Sequence, residues 1–254
     1  KSAFIKGLQC LKALYFYKNN YKDRDIPSAE LLKRFQIGID FGLLALNLFP
    51  NGYDCTPKNK FPSSIAASAK DVAKILHNLD NVTLYEASFL ANPLLSILDI
   101  LVKKNNLLFA YEVKSSVIVS STYIYDAAFQ YYVMTLAGFQ PDKFFIVHLK
   151  NTSLDINNIS FDEIAFTEIT KQVIDLQDFI KNKDVILKSI ADLGYPVILK
   201  PSNVIMYNHL SFEGKNKIYK VETKRINEVI KRNINRFPES FSSGIAPFSF
   251  VQFF

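Results

Sequence analysis

Apolar side chains recur at helical spacing through the first 80 residues and then give way to strand-like runs. Phe4, Leu8, Leu11, Leu14 and Tyr15 lie three or four residues apart and share one stripe of an N-terminal helix. After the turn-like Asp23-Arg24-Asp25-Ile26-Pro27, Ser28 is suited to cap a helix running from Ala29 to about Leu48, which Pro50-Asn51-Gly52 ends. Pro62-Ser63-Ser64 opens a third helix whose apolar face is Ile65, Ala69, Val72, Ile75, Leu76 and Leu79. From Val82 to Phe89 the residues are β-branched and aromatic and predict a strand. Asn92-Pro93 is a turn, Leu94 to Val102 a second strand, Lys103 to Asn106 a hairpin turn, and Leu107 to Ser115 a third strand. Such apolar runs suit a sheet covered on both faces. A helix is predicted from Tyr123 to Ala137, stopped at Gly138, and a fourth strand from Phe144 to Leu149.

Beyond Lys150 the pattern weakens. Val173 to Leu193 is amphipathic and predicts a helix ending at Gly194; Val197-Ile198-Leu199 is strand-like, and a basic helix covers Glu222 to Phe237. The elements make an α/β fold. Its core spans residues 1–150, with the central strands and helix at about 82–149, and residues 151–254 form a helical, basic extension of the same domain.

Composition narrows the class. With 254 residues, 49% of them hydrophobic, the chain has ample material for a packed core, which excludes global disorder. No apolar run approaches the roughly 18 residues of a membrane-spanning helix, so no membrane partner is expected. The two cysteines, Cys10 and Cys55, cannot build a disulfide framework, and a reducing, cytoplasmic setting is expected. The start shows neither a signal-peptide pattern nor an initiator Met, as in a trimmed or truncated chain. Of the net charge of +6, residues 200–254 hold +5 and residues 1–199 hold +1. A basic C-terminal quarter matches either a polyanionic partner or an ordinary solvated helix face.

The chemistry concentrates on the second and third strands. Asp99 lies on one and Glu112-Val113-Lys114 on the next, so two carboxylates on adjacent strands can share a hard divalent cation such as Mg²⁺ or Mn²⁺. Lys114, two residues past Glu112, points to the same face. There it can act on a phosphate or a metal-bound water. Glu-x-Lys alone carries no weight, since Glu213-Lys215 and Glu222-Lys224 repeat it in polar, basic surroundings. The match at Glu112 differs because its strand is otherwise apolar, where buried charge is costly unless paired or bound to metal. A buried ion-pair cluster that supports the sheet is the rival reading. No histidine pair has zinc spacing, and no phosphate-binding glycine loop occurs. His77 and His148 fall within apolar patterns and read as structural.

The order Tyr85-Glu86, Leu98-Asp99-Ile100-Leu101-Val102, Tyr111-Glu112-Val113-Lys114-Ser115-Ser116 and Tyr125-Asp126 to Gln130-Tyr131-Tyr132 resembles the PD-(D/E)XK nuclease superfamily. Its RecB-like branch, and within it a family of predicted bacterial nucleases, is the nearest likeness. The stretches Ser2 to Cys10, Phe35 to Ala45, Phe49-Pro50 and Gly52 also look like that family, so the resemblance spans residues 1–150. It implies a restriction-endonuclease-like mixed sheet flanked by helices, with an N-terminal helical elaboration. It also implies Mg²⁺- or Mn²⁺-dependent cleavage of nucleic acid, DNA rather than RNA, in repair or defence.

Carried over by residue, the resemblance makes Asp99 and Glu112 metal ligands, joined by the Val113 carbonyl, with Lys114 the catalytic lysine and Gln130 the glutamine of the following helix. Glu86 and Asp126 become supporting residues, Glu86 as a further ligand or a partner for Lys114. In this scheme Lys224, Arg225, Lys231 and Arg232 of the basic extension grip phosphates. Two departures stand out. Gly38-Ile39-Asp40-Phe41-Gly42 has no histidine where many relatives carry a metal ligand, and residues 151–254 lack the cysteines of iron–sulfur members, so no such cluster is expected. These departures favour the alternative, a catalytically inactive nuclease fold that binds nucleic acid or a protein partner.

Overall fold

A computed structural model describes residues 1–9, 14, 26–59, 61–151 and 159–183. The chain divides into two compact units, one of Lys1 with Ser28–Ile180, the other of Ser2–Pro27 with Lys181–Phe254. The described residues of the second unit include α1 (Ser2–Gln9). The predicted strand at Val197–Leu199, the basic helix at Glu222–Phe237, Cys10 and the four basic residues Lys224, Arg225, Lys231 and Arg232 lie outside the described residues.

The first unit is an α/β fold built on one mixed six-stranded sheet flanked by helices. Its elements are α2 (Ala29–Leu46), β1 (Tyr53–Asp54), α3 (Pro62–Asn78), β2 (Val82–Ala91), β3 (Leu94–Lys104), β4 (Leu107–Lys114), α4 (Ser121–Leu136), β5 (Lys143–Leu149), β6 (Ile164–Glu168) and α5 (Thr170–Asp175). The strands stand in chain order, β1 to β6. β2, β3 and β4 form an antiparallel meander; β1–β2 and β4–β5 are parallel pairs, bridged by α3 and α4 as crossover helices. β6 closes the sheet antiparallel to β5.

Local sequence accounts for most boundaries. The Ser28 hydroxyl accepts the Leu31 amide at 3.2 Å and starts α2, and Pro62 sits in the first turn of α3. Asn105 and Asn106, both at positive φ, turn β3 into β4 through a two-residue loop that asparagine tolerates well. Gly138, at φ 87°, ends α4, and the Phe139 amide reaches back to the Met134 carbonyl at 2.9 Å. Gly52 is fixed by close packing, since a Cβ there would stand 2.2 Å from the Tyr85 ring. The Tyr85 hydroxyl in turn accepts the Gly52 amide at 3.0 Å and donates to the Phe49 carbonyl.

Of the expected helix at Val173–Leu193, the described part is helical but for one turn: α5 stops at Asp175, Leu176 is a turn, and helix resumes over 177–183, while 184–193 lie outside the described residues. The strand β6 and the short β1 have no counterpart in the sequence reading. Both are edge strands, five and two residues long, too brief to leave a period in the pattern.

Alternation along β4 assigns the two layers. Tyr111 and Val113 pack with Phe41 and Ala45 of α2, beside Ile100, Val147 and Leu149. Glu112 and Lys114 bond to residues of α4, so α2 and α4 cover opposite faces. Six consecutive residues of α4, Asp126 to Tyr131, are buried, which makes it an interior helix rather than an amphipathic surface one.

Candidate functional site

The sheet splits where the carboxylates stand. The β3–β4 ladder runs from Lys104–Leu107 to Ile100–Tyr111 and ends there. Beyond it, Glu112, Val113 and Lys114 pair with Ile146, Val147 and His148 of β5, while Leu94 to Leu98 pair with β2. Asp99 sits at the fork and replaces a ladder bond with a side-chain one, its Oδ2 accepting the Val113 amide at 2.7 Å. On its other side the β2–β3 ladder passes from Tyr85–Ile100 to Ala87–Leu98, and Glu86, between them, adopts a left-handed φ of 51°. That conformation is costly for a non-glycine residue, and it interrupts the burial alternation of β2 opposite Asp99.

Gln130 of α4 fills the fork. Fully buried, it donates to Glu112 Oε2 at 2.7 Å, and its Oε1 accepts the Ser96 hydroxyl at 3.3 Å. Glu112, 1% exposed, receives Lys114 Nζ at 2.5 Å and Lys1 Nζ at 2.7 Å on Oε1. Lys114 also pairs with Asp126 Oδ2 at 3.0 Å and lies 5.5 Å from the Tyr123 ring centre. Asp126 Oδ1 is buried with no hydrogen-bond partner.

These contacts sort the charges. Burial alone raises the Glu112 carboxyl, but the Lys1 and Lys114 ammonium groups outweigh it and hold the group well below the usual carboxylate range. Burial and the neighbouring Glu112 charge push Asp99 up to about 7, against its lysine neighbours. The same two causes raise Asp126. Both lysines would lose protons more readily from burial, yet the carboxylates around them hold their ammonium forms firmly. Two carboxyls pushed up and one pushed down within one cluster is the pattern of a site with excess negative charge.

A groove reaches this cluster from the α2 side. A cavity of about 540 Å³ runs between Phe35, Gly38, Ile39 and Gly42 of α2 and the fork residues Asp99 and Val113, with Glu86 on its wall. Gly42 leaves its wall open, a Cβ there meeting nothing within 4 Å. The segment without a histidine therefore lines the same groove as Asp99 with Gly38, Ile39 and Gly42, and one turn earlier α2 adds Phe35 and the charged Arg34.

Asp99, Val113, Lys114, Gln130 and Asp126 thus gather about Glu112. Glu86 does not join the ion pairs. Lys114 takes Glu112 and Asp126 as partners instead, because Glu86 turns out at its left-handed bend and lies on the groove wall beside Asp99. Lys1, on Glu112, and Ser96, behind Gln130, were not singled out from the sequence. A lysine 111 positions from its partner and a serine inside an apolar strand leave no local signal. His148 is structural as expected, its Nδ1 donating to the Leu149 carbonyl at 2.9 Å and its Nε2 facing the Thr167 hydroxyl at 2.8 Å. His77 differs, being exposed against Phe139 at 5.3 Å between ring centres.

A hard divalent cation takes oxygen donors. Asp99, Glu112 and the Val113 carbonyl offer oxygen only, and the unpartnered Asp126 Oδ1 is a buried anionic oxygen lacking a donor. Among the described residues no group of three or more His, Cys, Asp or Glu side chains is arranged to hold a metal ion by itself. Among the described residues no helix is long and apolar enough to cross a membrane. No family model, curated protein or solved structure matches the chain.

Proposed function

We propose that this protein is a metal-dependent nuclease of the PD-(D/E)XK type, with a restriction-endonuclease-like core, hydrolysing phosphodiester bonds in DNA. The observation that supports it is the fork: Asp99, Glu112, Lys114 and Gln130, four residues in a set order along the chain, meet where β3 and β4 part. Strand ends that separate expose backbone and side-chain oxygens to one point, and the groove along α2 gives a ligand access to Asp99. Asp99, Glu112 and the Val113 carbonyl would hold Mg²⁺ or Mn²⁺, which when bound polarises a phosphodiester and acidifies water. Lys114 keeps its proton and places a positive charge beside Glu112, suited to an anionic phosphate. Gln130 orients Glu112 by holding Oε2. Lys224, Arg225, Lys231 and Arg232 would add sequence-independent phosphate contacts.

The test is cleavage of linear DNA by the full chain with Mn²⁺, with EDTA, and in Asp99→Asn. Cleavage that requires Mn²⁺ and is lost in the variant supports the reading; cleavage that persists in either control sinks it.

A second reading is a non-catalytic module in which the cluster only supports the sheet. Its supporting observation is that Glu112, Lys114, Asp126 and Lys1 already pair among themselves. In that case Mn²⁺ neither binds nor activates.

A further inference from the structure

Three large apolar side chains of α2 stand four residues apart and in the open: Phe35, Ile39 and Leu43 are 53%, 56% and 61% exposed. Residues four apart share a helix face, and all three line the groove that reaches Asp99 and Val113. An exposed apolar stripe along a groove marks a binding surface. Gly38 and Gly42, one turn apart, line the same groove. A Cβ on Gly38 would only touch Ser115 Oγ at 3.7 Å, and one on Gly42 would meet nothing within 4 Å. The helix thus offers bare backbone beside an aromatic ring and branched aliphatic chains, a surface suited to a flat apolar face.

Charge narrows the occupant. Arg34 lines the groove from α2, and Asp99 and Glu86 line it from the sheet. Arg34 pairs with Glu30 at 2.6 Å, but both side chains are largely exposed, and such a surface pair is weak enough to be exchanged for a phosphate. The apolar wall is a poor surface for a charged sugar–phosphate backbone and a good one for a base. Bases in a duplex are already stacked and paired, so only an unpaired base can present its face. The volume of about 540 Å³ is that of a small-ligand site, with space for a nucleotide rather than a paired helix.

We propose that the α2 groove is a base slot, in which an unpaired nucleotide beside the scissile phosphate stacks on Phe35 over the bare backbone of Gly38 and Gly42, and that the substrate is single-stranded DNA. This rests on the metal-site reading above. Every base has a π-face, so the slot tolerates any sequence.

The experiment uses the full chain in EDTA, to withhold metal, and three labelled probes of equal length: a mixed-sequence single strand, its duplex, and an abasic strand with the same phosphates. Phe35→Ala should weaken single-strand binding about tenfold and leave duplex and abasic binding unchanged, while Phe35→Tyr should bind as the parent does. The chain has no tryptophan, so Phe35→Trp places a unique fluorophore in the slot; the single strand should quench it and the abasic strand should not. Gly42→Leu, which fills the slot, should lose the same preference, with its melting temperature recorded to show that it folds. Equal single-strand affinity in Phe35→Ala, or equal losses on all three probes, overturns the proposal and leaves the nuclease reading to its own cleavage test. Self-association of the parent that Phe35→Ala abolishes gives the stripe to a second copy of the chain and overturns it as well. Quenching and selective loss without Mn²⁺-dependent cleavage by the parent uphold the slot as a single-strand site and remove the nuclease reading instead.

Discussion

The Gln130 side-chain amide lies 2.7 Å from Glu112 Oε2, joining α4 to β4 at the point where β4 has lost β3 as a neighbour. The hydrogen bond is buried and its acceptor is ionised, the kind that is worth most and costs most to break. Gln130→Leu should therefore lower stability by about 2–3 kcal/mol, with Glu112 left short of a donor, and should weaken Mn²⁺ binding as Glu112 loses its orientation. Chemical denaturation and calorimetry check both; a neutral substitution would mean that the fork is held by packing alone.

Asp99 gives the stability a pH dependence. Its folded-state pKa is about 7 against an ordinary 3.8, so between those values the folded protein binds more protons than the unfolded chain. Its contribution is complete below about pH 4 and is lost as pH rises through 7. Glu112 acts oppositely, since its depressed pKa contributes stability above its ordinary value of 4.5 that is lost as pH falls below it. Asp99→Asn keeps an oxygen for the Val113 amide and removes the proton. It should flatten the fall in stability between about pH 4 and 7 and be roughly 1–3 kcal/mol more stable than the parent at pH 8. Denaturant midpoints across that range decide it, and an unaltered slope would show that Asp99 ionises normally.

Lys114 separates the two functional readings. Its removal unpairs the buried Glu112 and Asp126, so Lys114→Ala should cost about 3 kcal/mol, partly relieved because Lys1 remains on Glu112. Lys114→Arg should recover most of that stability. If Lys114 serves a phosphate, Mn²⁺-dependent cleavage should fall at least about 100-fold in Lys114→Ala even at a temperature where the variant is fully folded. Stability loss with cleavage intact would assign the lysine to support of the sheet.

Two glycines predict opposite signs. Gly52→Ala drives a methyl into the Tyr85 ring and should destabilise by about 2 kcal/mol or more. Gly42→Ala meets open space inside a helix and should stabilise by about 0.5–1 kcal/mol. Thermal melts of the two single variants suffice.

The basic C-terminal quarter carries a prediction drawn from charge. Neutralising Lys224, Arg225, Lys231 and Arg232 together should flatten the salt dependence of DNA affinity without changing Mn²⁺ affinity. An unchanged slope would return these residues to an ordinary solvated surface.

The sequence by itself determined what depends on near neighbours. The Ser28 cap, the Asn105-Asn106 hairpin, the stop at Gly138 and the apolar runs of β2 to β5 are set by local backbone preference and side-chain period, and they emerged where expected. The pairing of Glu112 with Lys114 was legible too, because residues two apart on a strand share a face. Tertiary structure alone decided the rest. The parting of β3 and β4 depends on which neighbour each strand end finds, and no period encodes that. Whether Gln130 faced water or the interior depended on α4 being covered all round. Lys1 meets Glu112 only because the fold brings distant positions together, and Glu86 misses Lys114 only because its backbone turns left-handed opposite Asp99. Charges in a low-dielectric interior respond to every neighbour within several ångströms, so the state of the cluster belongs to the assembled fold and not to any stretch of chain.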